Sequence, residues 1–157
     1  MEMLLNNADT LILIFVLAVF LLLFILFLLA QYKAFAAIAP ENRKLAPSDV
    51  WYQLIPLFNL YWMFVVVNRL SASFALEFDR LNIVRTELYP TRAIGMATCI
   101  VYFATVLPVI KSLASFAWII CFIIYWVKIN QIKKEILQNS DTFLLDAERD
   151  LLNQTPD

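Results

Sequence analysis

The chain has 157 residues, of which 62% are hydrophobic, with one glycine, two cysteines, no histidine and a formal net charge of -1. Its mean hydropathy of +0.76 exceeds what a soluble domain of this length buries around one core, so part of the surface is expected to face lipid. The absence of histidine excludes His-ligated haem, the commonest zinc sites and the usual general base, and a single glycine leaves no phosphate-cradling loop or dinucleotide fingerprint.

The first element is an apolar run from Leu11 to Ala30, bounded by Asp9 and Gln31. Twenty residues at about 1.5 Å each give roughly 30 Å, the thickness of a bilayer's hydrocarbon core, which predicts a membrane span over residues 10–30. A cleaved leader is the competing reading, because Ala34-Phe35-Ala36 and Ala37-Ile38-Ala39 resemble small-residue cleavage sites. Against it, the first basic residue is Lys33 and the segment before the run carries Glu2 and Asp9, so the helix is expected to stay attached. Residues 31–47 read as a surface loop with Lys33, Arg43 and Lys44 against Glu41. Pro47-Ser48-Asp49 then signals a helix start, with Ser48 or Asp49 as the cap.

The second apolar stretch, residues 50–67, holds Gln53, Pro56 and Asn59 near its middle. Proline removes a backbone donor and clashes with the carbonyl four residues back, so a broken helix is expected. It either crosses with a kink or turns back as a re-entrant hairpin, and the two options place the basic residues differently. Crossing puts eight Lys and Arg in the cytoplasm and four outside, whereas a hairpin puts eleven of the twelve inside and leaves only Lys111 outside. The count favours an all-α integral membrane protein of three spans plus a re-entrant hairpin, with Met1 outside and the C-terminus cytoplasmic. A four-span bundle is the alternative.

From Tyr61 the helix is expected to continue to about Asn82. Val67, Leu70, Ser71, Phe74, Phe78 and Leu81 recur on one face, and Arg69, Ser73, Glu77 and Arg80 form a polar stripe. After a connector ending at Tyr89-Pro90, Thr91 is placed to cap the next helix. Segments 93–110 and 112–128 form a predicted hairpin split only by Lys111, with Pro108 near the turn. Trp118, Tyr125 and Trp126 read as packing residues or interfacial anchors. Cys99 and Cys121 lack metal-ligand or redox spacing and read as small core residues. Without a Gly-x-x-x-Gly seam, close helix approach is expected at Ser71 with Ala75 and at Ala93 with Ala97. Residues 1–139 thus make a membrane-embedded domain. Residues 140–157 make an acidic tail helix capped by Ser140-Asp141, with Phe143, Leu144, Ala147 and Leu151 opposite Asp146, Glu148 and Asp150. Anionic lipid would repel such a helix, so it is expected to dock on protein near Arg80, Arg85 and Arg92.

Two groups are candidate sites. Gln53, Pro56 and Asn59 offer an ion or solute pathway at a helix break, although an amide beside a proline also serves simply to satisfy freed backbone groups. Arg69, Ser73, Glu77 and Arg80, with Phe74 and Phe78, offer a face for a partner or a lipid headgroup, the plainer alternative being a solvated helix face. Glu77 and Asp79 make no catalytic pair. No catalytic residue, metal, cofactor or nucleic-acid partner is expected, and the partners implied are the bilayer and other membrane subunits or a second copy.

The stretch Trp51-Tyr52-Gln53-Leu54-Ile55-Pro56-Leu57-Phe58-Asn59-Leu60-Tyr61-Trp62, followed by Ser71, Ser73 and Glu77-Phe78, resembles a Trp-x-x-x-Ile-Pro-x-Phe-Asn-x-x-Trp pattern of small bacterial multi-span membrane proteins. The resemblance covers residues 45–130 and implies a bacterial origin and a shared hairpin architecture. It carries no activity with it. The sequence therefore points to a non-enzymatic subunit or scaffold of a complex in the cytoplasmic membrane. An oligomeric channel or transporter with a pathway at the broken helix is the first alternative, and a lipid-acting enzyme using Arg69, Glu77 and Asp79 is the second.

Overall fold

The computed structural model describes the backbone of residues 2–105, 107, 108 and 110–154, and the side chains of 9–105, 107, 108 and 110–152. Among the described residues every regular element is helical: α1 (Glu2–Ala36), a 3-10 turn (Pro40–Asn42), a 3-10 helix (Pro47–Leu54), α2 (Phe58–Arg80), α3 (Arg92–Ala104) and α4 (Lys111–Gln154). Two of them, α1 from Asp9 and α4 as far as Leu152, are long and apolar enough to cross a membrane. The run that makes α1 is rich in Leu, a strong helix former, and is apolar all round. Its first half, Leu11 to Leu23, stays largely exposed, while Phe27, Leu28, Gln31, Ala34 and Phe35 are buried.

The expected break falls at Ile55–Leu57. The Phe58 N–H donates to the Pro56 carbonyl at 2.7 Å, and Leu57 is held at φ 65°, ψ -45° with its side chain pointing outward. This is a γ-turn, a strained conformation for leucine. On either side the chain folds back on itself. The Lys44 N–H donates to Ser73 Oγ at 2.8 Å and Trp62 Nε1 donates to the Asp49 carbonyl at 2.8 Å, so residues entering and leaving the segment lie at one end. The 3-10 helix starts on Pro47, with Ala46 rather than Ser48 or Asp49 at the cap position and no side-chain cap bond. Proline at the first helical position needs no N–H partner, which makes such a cap less necessary.

Helix α2 ends where the sequence placed it. Asn82 takes φ 53°, its N–H donates to the Asp79 carbonyl at 3.2 Å and the Ile83 N–H donates to the Phe78 carbonyl at 2.9 Å, which together make a Schellman cap. Thr91 occupies the position before α3 but caps nothing. At φ 69°, ψ -12° it lacks the extended backbone a capping side chain needs, and its hydroxyl is buried without a partner among the described residues. α3 is also shorter than its predicted 93–110 span. The N–H that Pro108 lacks would have bonded to the Ala104 carbonyl, and Ala104 is the last helical residue.

No new helix begins at Ser140-Asp141, since α4 passes through that point without a break. The side chains suited to capping bond backwards onto their own helix instead, Asn139 Nδ2 to the Glu135 carbonyl at 2.8 Å and Thr142 Oγ1 to the Gln138 carbonyl at 3.0 Å.

The core joins the end of α1 to the middle of α2 and to Ile129, Ile132 and Ile136 of α4. The whole predicted apolar face of α2, Val67 to Leu81, lies in it. At Gly95 the packing leaves no room for a side chain: a Cβ there would lie 2.7 Å from Val67 Cγ1 and 2.9 Å from Tyr125 Cε2. Gly95→Ala should therefore destabilise the fold by about 1–3 kcal/mol through overpacking. Thermal unfolding in mild detergent should show a lower midpoint, partly restored by adding Val67→Ala; an unchanged midpoint for the single variant would refute this packing.

Candidate functional site

Gln53 projects from the 3-10 helix into the interior, where its Nε2 donates to Gln31 Oε1 at 2.6 Å and to the Val50 carbonyl at 3.2 Å. Gln31, which the sequence placed in a surface loop, belongs to α1 and is buried. This amide pair ties α1 to the 3-10 helix that precedes the break. Pro56 stands exposed at the turn. Asn59, on the first turn of α2, does not satisfy the broken backbone through its side-chain carbonyl, because Oδ1 is enclosed with no partner among the described residues. The main chain does that work itself, with the Asn59 N–H donating to the Ile55 carbonyl at 3.0 Å and the Leu60 N–H to the Leu57 carbonyl at 3.2 Å.

Gln31, Gln53 and Asn59 share a cavity of about 780 Å³ that extends between α1, α3 and α4. Its walls are otherwise apolar and aromatic. The Phe27 ring lies 4.6 Å from Phe122, 5.9 Å from Tyr125 and 6.0 Å from Trp126, centroid to centroid. Trp118, Tyr125 and Trp126, read from sequence as packing residues or anchors, thus line the cavity as well. Side chains from the 3-10 helix and all four α-helices meet here, and sequence spacing alone carries no sign of that convergence.

The second candidate group is used by the chain itself. Ser73, Phe74, Glu77 and Phe78 are buried, Arg80 is half-buried and only Arg69 is exposed. Segment 37–46 covers the polar stripe, which removes Ser73 and Glu77 from any docking face. Glu77 Oε1 accepts from Arg80 at 2.6 and 3.1 Å, and Oε2 accepts from Asn42 Nδ2 at 2.8 Å and from the Ala39 N–H at 3.2 Å. Burial pushes this carboxyl up, but the hydrogen bonds from Arg80, Asn42 and Ala39, together with the Arg80 charge, outweigh it and hold the group below its ordinary value. Arg43 closes the same segment by donating to the Ile38 and Ala36 carbonyls at 2.8 and 2.9 Å, satisfying acceptors at the end of α1.

Beside this clamp Arg85 pairs with Glu135 and lies 4.7 Å over the Phe78 ring. Lys128 approaches Glu87 at 3.4 Å. Among the described residues the tail's acids do not pair with these arginines, and Asp146 instead approaches Arg149 at 3.8 Å within α4. The contact the tail does make with the predicted region is Arg80 over the Phe143 ring at 5.5 Å.

No protein-family model, curated protein or solved structure matches this chain. Function is therefore argued from the geometry above.

Because the Glu77 carboxyl is held below its ordinary value, the stability it contributes is present above that value and is lost as pH falls through the depressed one. Glu77→Gln should cost about 1–3 kcal/mol at neutral pH, since a charge-assisted acceptor is replaced by a neutral amide. The gap in unfolding midpoint between wild type and Glu77→Gln should narrow as pH drops below the ordinary carboxylate range. A gap that stays constant from neutral to acid pH would show that the carboxylate charge is not what holds segment 37–46.

Proposed function

We propose that this chain is a non-enzymatic integral protein of a bacterial cytoplasmic membrane, a subunit that docks a second protein through the distal part of α4. In this reading α1, α3 with the following turn, and the first half of α4 span the bilayer, and residues 47–67 re-enter it as a hairpin. The observation that carries the docking is the projection of α4. Its last buried residue is Ile136, every residue from 141 to 152 is exposed, and Leu144, Leu145 and Leu151 are 60, 62 and 68% exposed. The described helix runs on to Gln154, eighteen residues beyond Ile136 and roughly 27 Å of rod. Helices of that length are marginal in water without packing, so a covering partner would stabilise it. Leucines flanked by Asp146, Glu148 and Asp150 suit a groove that is apolar at its floor and basic at its rim.

The distribution of charge supports the topology. Lys44 lies at Ser73, Arg80 at Glu77, Arg85 at Glu135 and Lys128 at Glu87, which gathers these basic residues at one end of the bundle. Lys111 sits at the opposite end of α4. By the positive-inside rule the crowded end faces the cytoplasm.

A second reading, an oligomeric channel or transporter with its pathway at Gln53, Pro56 and Asn59, draws support from the cavity at the break. The lipid-acting enzyme draws none. Glu77, its best acid, has both oxygens engaged by Arg80, Asn42 and Ala39.

Reporter fusions should place a tag before residue 9 outside and a tag after residue 154 in the cytoplasm; two cytoplasmic ends would replace the hairpin with a fourth crossing. A photo-crosslinker at Leu144 or Leu151, activated in native membranes, should give one discrete protein adduct that Leu145→Glu abolishes. Absence of an adduct at both positions would remove the docking role.

A further inference from the structure

The cavity between α1, α3 and α4 is lined by no Lys, Arg, Asp or Glu, and at about 780 Å³ it falls within the size range of small-molecule sites. Three of the residues that line it each carry a buried side-chain polar atom with no partner among the described residues: Asn59 Oδ1, Trp118 Nε1 and the Tyr125 hydroxyl. Tyr125 as a whole is only 1% exposed. Buried polar atoms of this kind are normally hydrogen-bonded, and leaving them unpaired costs free energy. The amides of Gln31 and Gln53, also on the wall, are joined to each other. At the other side Leu17, Phe20 and Leu21 line the cavity yet remain more than half exposed, so it opens sideways onto the outer apolar face of α1.

We propose that this cavity binds a neutral lipid of the diacylglycerol type, with its head at Asn59, Trp118 and Tyr125 and its chains leaving past Leu17 and Leu21. The chemistry matches group by group. The indole N–H is a donor only, the Tyr125 hydroxyl donates or accepts, and the Asn59 oxygen is an acceptor. A diacylglycerol head supplies two ester carbonyls for the two donors and one hydroxyl for the acceptor. A flat quinone has carbonyls alone and would leave Asn59 Oδ1 unpaired. A phospholipid would bury a phosphate with no cation on the wall to offset its desolvation. Aromatic and leucine side chains suit the hydrocarbon. This site is independent of the docking role of α4.

The test is native mass spectrometry of the full chain in mild detergent, titrated with dioleoylglycerol and in parallel with dioleoylphosphatidylglycerol. A saturable adduct of one dioleoylglycerol per chain is expected, weakened about fivefold to tenfold by either Tyr125→Phe or Trp118→Phe, each of which removes one hydrogen bond. Leu21→Trp, at an exposed position where folding is not at stake, should weaken it too by narrowing the mouth. If the two interior variants fail to fold, Leu21→Trp and the comparison of the two lipids decide the matter. The proposal is overturned if phosphatidylglycerol binds as tightly as dioleoylglycerol, if no saturable adduct forms, or if the folded variants bind dioleoylglycerol as wild type does.

Discussion

Pro56 has no N–H to give a helix, so the helical path breaks at this point, and Leu57 beside it takes φ 65°. A strained turn persists only where its surroundings hold it. Here the restraints are spread along the two arms: Gln53 to Gln31 near the tip, Trp62 to the Asp49 carbonyl midway, and the Lys44 N–H to Ser73 at the base. Glu77 completes the base by collecting Ala39, Asn42 and Arg80 around one carboxylate. The turn sets the geometry and these polar contacts keep it closed.

The 3-10 helix before this turn then decides where α1 is held. It meets α1 at Gln31, close to the C-terminal end of that helix. From there toward Asp9, α1 faces α4 through the aromatic group of Phe27, Phe122 and Trp126, and farther on the two helices bound the cavity. On the other side of that cavity, Gly95 lets α3 sit against Val67 and Tyr125, where a Cβ would lie 2.7 and 2.9 Å from their side chains. A larger residue there would push Tyr125 toward the cavity, so the single glycine helps set its shape.

Elements whose signal is local were legible in the sequence. The break at Pro56, the end of α2 at Asn82, the apolar face from Val67 to Leu81 and the boundary at Lys111 all rest on a few adjacent residues, and each appears in the structure. What sequence could not separate was a polar side chain facing water from one paired inside. Ser73 and Glu77 recur at helical spacing as a solvated stripe would, but their partners lie 29 to 38 residues away in a segment with no regular pattern. Gln31 and Gln53 are 22 residues apart, and their local sequence offers the first as a surface-loop residue and the second, with Asn59, as an intramembrane amide flanking Pro56. The uninterrupted course of α4 escaped for the opposite reason: Ser140-Asp141 is a good cap locally, and only the backward bonds of Asn139 and Thr142 show that the helix had no need of one.

These contrasts give the cavity its meaning. The fold closes a 2.6 Å amide bond between α1 and the hairpin and surrounds the Glu77 carboxylate with donors from three residues, so burial of polar groups here is ordinarily accompanied by pairing. Five buried side-chain polar atoms among the described residues depart from that pattern. Two are the small hydroxyls of Ser71 and Thr91, away from the cavity. The other three belong to Asn59, Trp118 and Tyr125, which come from two different helices and line the same cavity. Polar atoms from α2 and α4, carried by residues that line one apolar cavity and unmatched among the described residues, define the head of a ligand more sharply than the apolar surface around them defines its chains.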